Sequence, residues 1–101
     1  MYYKLVDKIP VECSINQYKS EVVEKSKFGE ILVSTVFLGF NHGTKDNKPI
    51  LFETMVFGGE FDGCMFRYTN WNDSVKGHQE ACYMVNKITI NRERKLNELG
   101  I

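Results

Sequence analysis

Residues 31–57, ILVSTVFLGFNHGTKDNKPILFETMVF, constrain the fold more than any other stretch. Two apolar runs flank a short polar loop that holds Gly43, Asp46, Asn47 and Pro49. β-Branched and aromatic side chains suit a pleated strand surface, and Gly, Asn, Asp and Pro punctuate turns. The pattern predicts two neighbouring antiparallel strands at the middle of a sheet. Each is apolar on both sides. Ile31, Val33 and Phe37 alternate with Leu32, Val36, Leu38 and Phe40, and Ile50, Phe52 and Val56 oppose Leu51, Met55 and Phe57. Strands of that kind call for cover on both faces. One helix roofs one face; the other needs the N-terminal segment, a second subunit, or both. Burying an exposed large apolar side chain contributes roughly 1.5–3 kcal/mol, so the pattern predicts a homodimer.

The remaining elements are read around this centre. Tyr2–Asp7 is expected as an edge strand stopped by Pro10, which lacks a ladder donor. Ser14 is expected to cap a short N-terminal helix through about Ser20, with Ile15, Tyr18 and Val22 at helical spacing. Glu21–Ser26 reads as a strand, and Lys27-Phe28-Gly29-Glu30 as the hairpin turn into the centre. After the glycine-rich stretch Gly58–Gly63 comes a strand at Cys64–Tyr68. Asn70 then caps a long helix that opens with Trp71 and carries Asp73 in its first turn. Trp71, Val75, His78, Cys82, Val85 and Ile88 recur at helical spacing and predict the face against the sheet. Gly77, costly by about 1 kcal/mol in a helix interior, implies a close backbone approach. Arg92–Leu99 extends the helix as a charged, solvated segment, with Gly100 as terminator. The expected fold is α+β: one domain over 1–101, an antiparallel sheet of four to five strands, one long C-terminal helix packed on it, and the short N-terminal helix.

Composition narrows the function classes. Thirteen basic and thirteen acidic residues cancel. Non-specific nucleic-acid binding rests on excess Lys and Arg, so nucleic acid is disfavoured as a partner. Three scattered cysteines, Cys13, Cys64 and Cys82, form no CxxC pair and suit a reducing cytoplasm. The N-terminal segment shows no apolar secretion core, and no apolar stretch is long enough to span a bilayer as a helix.

Six residues stand out as candidate ligand- or partner-binding positions: His42, Glu53, Arg67, Tyr68, Trp71 and His78. His78 falls on the apolar stripe of the helix, where a buried imidazole needs a hydrogen-bond partner; Glu53 or Arg67 would supply one. It is either a satisfied core histidine or a general base, or a ligand with Cys82 one turn on. Glu53 interrupts an apolar strand, where a carboxylate must be paired or shifted in pKa. Pairing with Arg67 would be structural, and facing a cleft beside His78 would be functional. His42 sits at a strand end, a common place for binding residues. Tyr68 and Trp71, at the strand–helix junction, either stack on a ligand or anchor the helix. The glycines at 58, 59 and 63 would offer amides to a phosphate, but no P-loop Lys-Ser/Thr follows. No spacing marks a metal site, no cofactor motif appears, and no serine or cysteine sits in a nucleophile motif. The balance is against catalysis.

The runs VSTVFLGFNHG, PILFETMVFGGEFDG and RYTNWNDSVKGH, in that order, add a further lead. From Val33 to His78 the chain resembles a family of small proteins of tailed bacteriophages and prophages, with the pattern VSTVxLGxDH, PxxFETMxFGG and RYxTWEEAxxGH. Thr35, His42, Glu53, Thr54, Gly58, Gly59, Arg67, Tyr68, Trp71, Gly77 and His78 carry the likeness. Asn41 departs from the family's Asp, and Asn70, Asn72 and Asp73 replace Thr-Glu-Glu at the helix start. The resemblance implies a phage or prophage setting and carries no reaction with it. Three readings follow. The first is a small phage-encoded binding protein that engages a host or defence-system protein in the bacterial cytoplasm, without catalysis. The second is a nucleotide-like small-molecule binder (a sponge) or hydrolase using His42, Glu53, Arg67 and His78. The third is an inert accessory component of the virion.

Overall fold

The computed structural model describes residues 1–44 and 46–98, with side chains described through residue 87. Two antiparallel sheets precede one helix. A two-stranded hairpin pairs β1 (Tyr2–Val6) with β2 (Ile9–Cys13). A four-stranded sheet follows in the order β3 (Glu21–Phe28), β4 (Ile31–Phe37), β5 (Phe52–Phe57), β6 (Met65–Tyr68), and α1 (Trp71–Glu98) packs across it. The α+β architecture, the central β4–β5 pair and the long helix are as the sequence predicts. Ile88, as a side chain on the helix face, and Gly100, as terminator, lie outside the described residues.

The N-terminal fifth departs from expectation. Pro10 does not stop a strand; it sits within β2 opposite Leu5, and among the described residues β2 pairs with β1 alone. Asp7 and Lys8 make the two-residue turn, both at positive φ (50° and 68°). That conformation is a mirror-image hairpin turn of the kind usually signalled by Asn-Gly or Asp-Gly. The expected short helix from Ser14 is a single turn: the amides of Gln17 and Tyr18 both donate to the Ser14 carbonyl, at 3.0 and 3.1 Å. Helix nucleation is costly and a run this short does not repay it. The Tyr18 ring packs instead on Tyr2 (4.9 Å between centroids) and over Gly39, drawing the chain out into β3. The hairpin docks on the end of the sheet through Tyr3 N, which donates to Gly39 O at 2.7 Å.

Strand parity divides the sheet into two unlike faces. Val33, Thr35 and Phe37 on β4, with Phe52, Thr54 and Val56 on β5, are fully buried beneath α1. They form two apolar clusters. Phe37 and Phe52 join Tyr3 and Leu51 at one end, and Val33 and Val56 join Ala81 and Val85 at the other. The helix meets the sheet through Ser74, Gly77, His78, Ala81 and Val85, a stripe rotated from the expected one, with Trp71, Val75 and Cys82 at its margins. Asn70 caps the helix as read: the Asp73 amide donates to Asn70 Oδ1 at 2.8 Å, and Asn70 Nδ2 returns a bond to Asp73 Oδ2 at 3.0 Å. Replacing Asn70 with alanine is expected to cost about 1 kcal/mol, read as a lower urea midpoint at unchanged slope.

The opposite face has no roof among the described residues. Leu32, Val36 and Met55 are half-buried there, and Val22, Phe57 and Met65 are exposed. The N-terminal hairpin does not cover this surface, because it docks on the sheet end instead.

Candidate functional site

The buried polar residues Thr35, Thr54 and His78 form, with half-buried Tyr68 and Ser26, one connected belt between the two apolar clusters. Its hub is His78, whose imidazole is 1% exposed. His78 Nδ1 lies 2.7 Å from Thr35 Oγ1, and Nε2 lies 2.9 Å from Ser26 Oγ. Thr35 is hydrogen-bonded in turn to Thr54, and the Tyr68 hydroxyl donates to Thr54 Oγ1 at 3.1 Å. The belt crosses all four strands, Tyr68 on β6, Thr54 on β5, Thr35 on β4 and Ser26 on β3, and meets α1 at His78. Register builds it: Thr35 stands opposite Thr54 across the β4–β5 ladder.

The Glu24 carboxylate near Nε2 sets the direction of the bonds. With the ring proton on Nε2, Nδ1 accepts from Thr35, Thr35 accepts from Thr54, and Thr54 accepts from Tyr68. The imidazole is then the neutral tautomer that carries its proton on Nε2 and donates to Ser26. Glu24 Oε2, 3.9 Å from Nε2, favours a proton at that nitrogen. Burial pushes His78 below its ordinary pKa of 6.5, with Glu24 opposing weakly. Burial likewise raises Cys82, against a hydrogen bond from Ser26, so the thiol is protonated and unreactive at neutral pH. Tyr68 is also raised by burial, against its hydrogen bond to Thr54.

A pH dependence follows. The unfolded chain takes up a proton at His78 near 6.5, while the folded chain resists until lower pH. Stability from this residue is complete above that value and drains away as pH falls from it towards the depressed folded pKa, because the unfolded state then binds more protons. Urea midpoints are expected to be level above about pH 7 and to fall as pH drops below about 6.5. In His78→Asn that part of the slope disappears. An unchanged slope would place the titrating group elsewhere.

The structure separates the six candidate residues rather than gathering them. Tyr68 and His78 belong to the buried belt. Glu53 and Arg67 face the opposite side of the sheet as a cross-strand pair, Arg67 Nε to Glu53 Oε2 at 3.2 Å. The expected pairing of His78 with Glu53 or Arg67 is therefore corrected: Glu53 alternates with the buried Phe52 and Thr54, so pleat parity turns it away from the helix. Trp71 anchors the first turn of α1, edge-on to Phe52 with centroids 6.3 Å apart, and the Lys8 ammonium sits 5.4 Å above its ring. His42 lies past the end of β4 with its ring 4.3 Å from Phe40, and its buried Nε2 meets no hydrogen-bond partner among the described residues. Beside it, Asn41 Oδ1 accepts from the amides of Gly43 and Ile50 at 2.7 and 2.9 Å, closing the 41–50 loop.

The residues that sequence reasoning left out of the site are Ser26, Thr35 and Thr54. Thr35 and Thr54 lie within apolar strands and Ser26 between two lysines, and no local pattern sets them apart from ordinary strand residues. The glycine-rich loop holds no anion cradle. Asp62 Oδ1 already accepts from the Gly58 amide at 2.7 Å, and Gly58 and Gly59 lie against Glu30 and Ile31 of the neighbouring hairpin. Among the described residues no cluster of three His, Cys, Asp or Glu side chains is placed to hold a metal ion, and no helix is long and apolar enough to cross a membrane.

The arrangement defines a structural polar core with an open apolar face behind it. In comparisons with known proteins, no family model, curated protein or solved structure matches the chain.

Proposed function

We propose that this is a non-catalytic binding protein that presents the open face of its four-stranded sheet to a protein partner. The observation that carries the reading is the exposure of Val22, Phe57 and Met65 beside half-buried Leu32, Val36 and Met55, all on one continuous surface. Lys25, Lys27 and the Glu53–Arg67 pair form its polar rim. Apolar patches rimmed by polar groups mark interaction surfaces, and each large side chain covered there would contribute roughly 1.5–3 kcal/mol. Two of the groups suited to proton transfer are already engaged, His78 inside the core and Glu53 with Arg67. With the resemblance to phage proteins, the partner is a host or defence-system protein met in the bacterial cytoplasm.

The nucleotide-like reading requires His42, Glu53, Arg67 and His78 to share one site. Only Glu53 and Arg67 are in contact, and His78 lies on the other side of the sheet, so no observation favours it.

The test is direct binding to a partner recovered from the host by affinity purification. Phe57→Asp and Val22→Asp, both at exposed positions, are expected to weaken the complex at least tenfold, whereas Tyr83→Ser on the outer surface of α1 leaves it intact. Full binding by both aspartate variants would remove this face from the account.

A further inference from the structure

The two edges of the four-stranded sheet are not equivalent. β3 carries the devices that keep an edge from pairing: a register shift between Val22 and Glu24, and outward lysines at 25 and 27. β6 carries neither. Its sequence is Met65-Phe66-Arg67-Tyr68, with no lysine, proline or bulge, and Phe66 is 41% exposed. The hydrogen bond from Val56 N to Cys64 O fixes which residues of this strand bond to β5. Bonded and non-bonded residues alternate along an antiparallel pair. The N–H and C=O groups of Phe66 and Tyr68 therefore point to β5, and those of Met65 and Arg67 point outward. No strand lies on that side among the described residues. Beside this edge, on the helix side, runs an apolar groove of about 250 Å³ lined by Phe66, Tyr68, Gly77, Glu80, Ala81 and Met84.

We propose that β6 pairs antiparallel with β6 of a second copy, with the two Phe66 side chains meeting on the twofold axis, so that the sheet runs continuously through a homodimer. The occupant and the register follow from symmetry and charge. A twofold contact must be self-complementary. Centred on Phe66, it sets Met65 opposite Arg67 of the second copy, twice, and joins their outward backbone groups in four hydrogen bonds. Centred on Arg67, it would place two guanidinium groups directly opposite each other, which is destabilising. Centred on Met65, it would run Arg67 into Gly63, where the chain turns away at positive φ (83°).

The Phe66 register puts an aromatic pair on the helix side, at the mouth of both grooves. Opposed aromatic residues of this kind lie about 4.5–5.5 Å apart at Cβ. The groove rim carries Asp73, Lys76 and Glu80, both signs on one helix edge. Arg67 keeps its tie to Glu53 on the opposite face, so no charge is buried unpaired.

Two measurements test this surface independently of the partner-binding face. Light scattering on the wild-type chain is expected to give twice the single-chain mass of 11.7 kDa, and Phe66→Lys to give the single-chain mass. Hydrogen exchange of the wild type, read amide by amide, is expected to protect Met65 and Arg67 increasingly with protein concentration. A wild type of single-chain mass at every concentration would overturn the proposal, as would fast, concentration-independent exchange at these two amides. A dimer that survives Phe66→Lys but is lost in Phe57→Asp would overturn it too, by placing the contact on the open face.

Discussion

Replacing His78 with alanine is expected to cost about 4 kcal/mol of folding stability. Two effects add. The fully buried ring leaves a cavity that helix and sheet cannot close, since both are held by clusters on either side. The hydroxyls of Thr35 and Ser26 each lose the nitrogen they now meet at 2.7 and 2.9 Å. An unpaired buried hydroxyl carries its own desolvation penalty of about 1–3 kcal/mol. For a domain of this size the total stability is of order 5–15 kcal/mol, so the variant would melt tens of degrees lower or fail to fold. A cycle with Thr35→Val separates the effects. The two substitutions should be less costly together than their sum by about 1 kcal/mol or more, because the second removes a hydroxyl that the first has orphaned. Strict additivity, read from urea unfolding of the four proteins, would mean that Thr35 and His78 do not depend on one another.

Gly77→Ala carries the second large effect, and its sign opposes intuition. In a helix interior the change ordinarily stabilises by about 1 kcal/mol. Here a Cβ at position 77 would fall within the van der Waals envelope of Tyr68, overlapping its Oη, Cζ and Cε1 atoms. The ring cannot yield without giving up its bond to Thr54, so the substitution strikes the helix–sheet contact and the polar belt together. The expected loss is about 2–3 kcal/mol. Shortening the obstacle reverses the result: in a Tyr68→Val background, Gly77→Ala should be neutral or stabilising. Equal destabilisation in both backgrounds would show that the strain lies elsewhere.

What the sequence disclosed follows the strength of its periodicities. The β4–β5 centre was legible because β-branched and aromatic residues alternate for whole strands on each side of a Gly-Asn-Pro loop. The place of His78 on the buried side of α1 was legible from spacing, and so was a close approach at Gly77, though not the identity of Tyr68 as the neighbour. The N-terminal hairpin was hidden by its turn, since Asp7-Lys8 adopts positive φ without the glycine that announces it. The helix expected from Ser14 rested on local capping and a few periodic residues, and the packing of Tyr18 on Tyr2 and Gly39 outweighed both.

The candidate site was misread for a different reason. Glu53 stands out as a carboxylate in an apolar strand, but the sequence alone does not say which face of that strand the helix covers. Once Phe52, Thr54 and Val56 are under the helix, alternation alone sends Glu53 to the other side, to Arg67. The partners of His78 were hydroxyls, and Thr35 and Thr54 read in sequence as ordinary strand formers. Nothing local distinguishes a threonine that fills a strand from one that faces another threonine across a ladder; the register does, and the register is a tertiary property.

The fold turns on His78, the neutral hub of a buried hydroxyl belt. Nitrogen NMR of the imidazole tests it most directly. The account predicts a protonated Nε2 and an unprotonated Nδ1 at neutral pH, a single tautomer, and titration below the ordinary value. A ring that exchanges between tautomers and titrates at or above about 6.5, as a solvated histidine does, would contradict it.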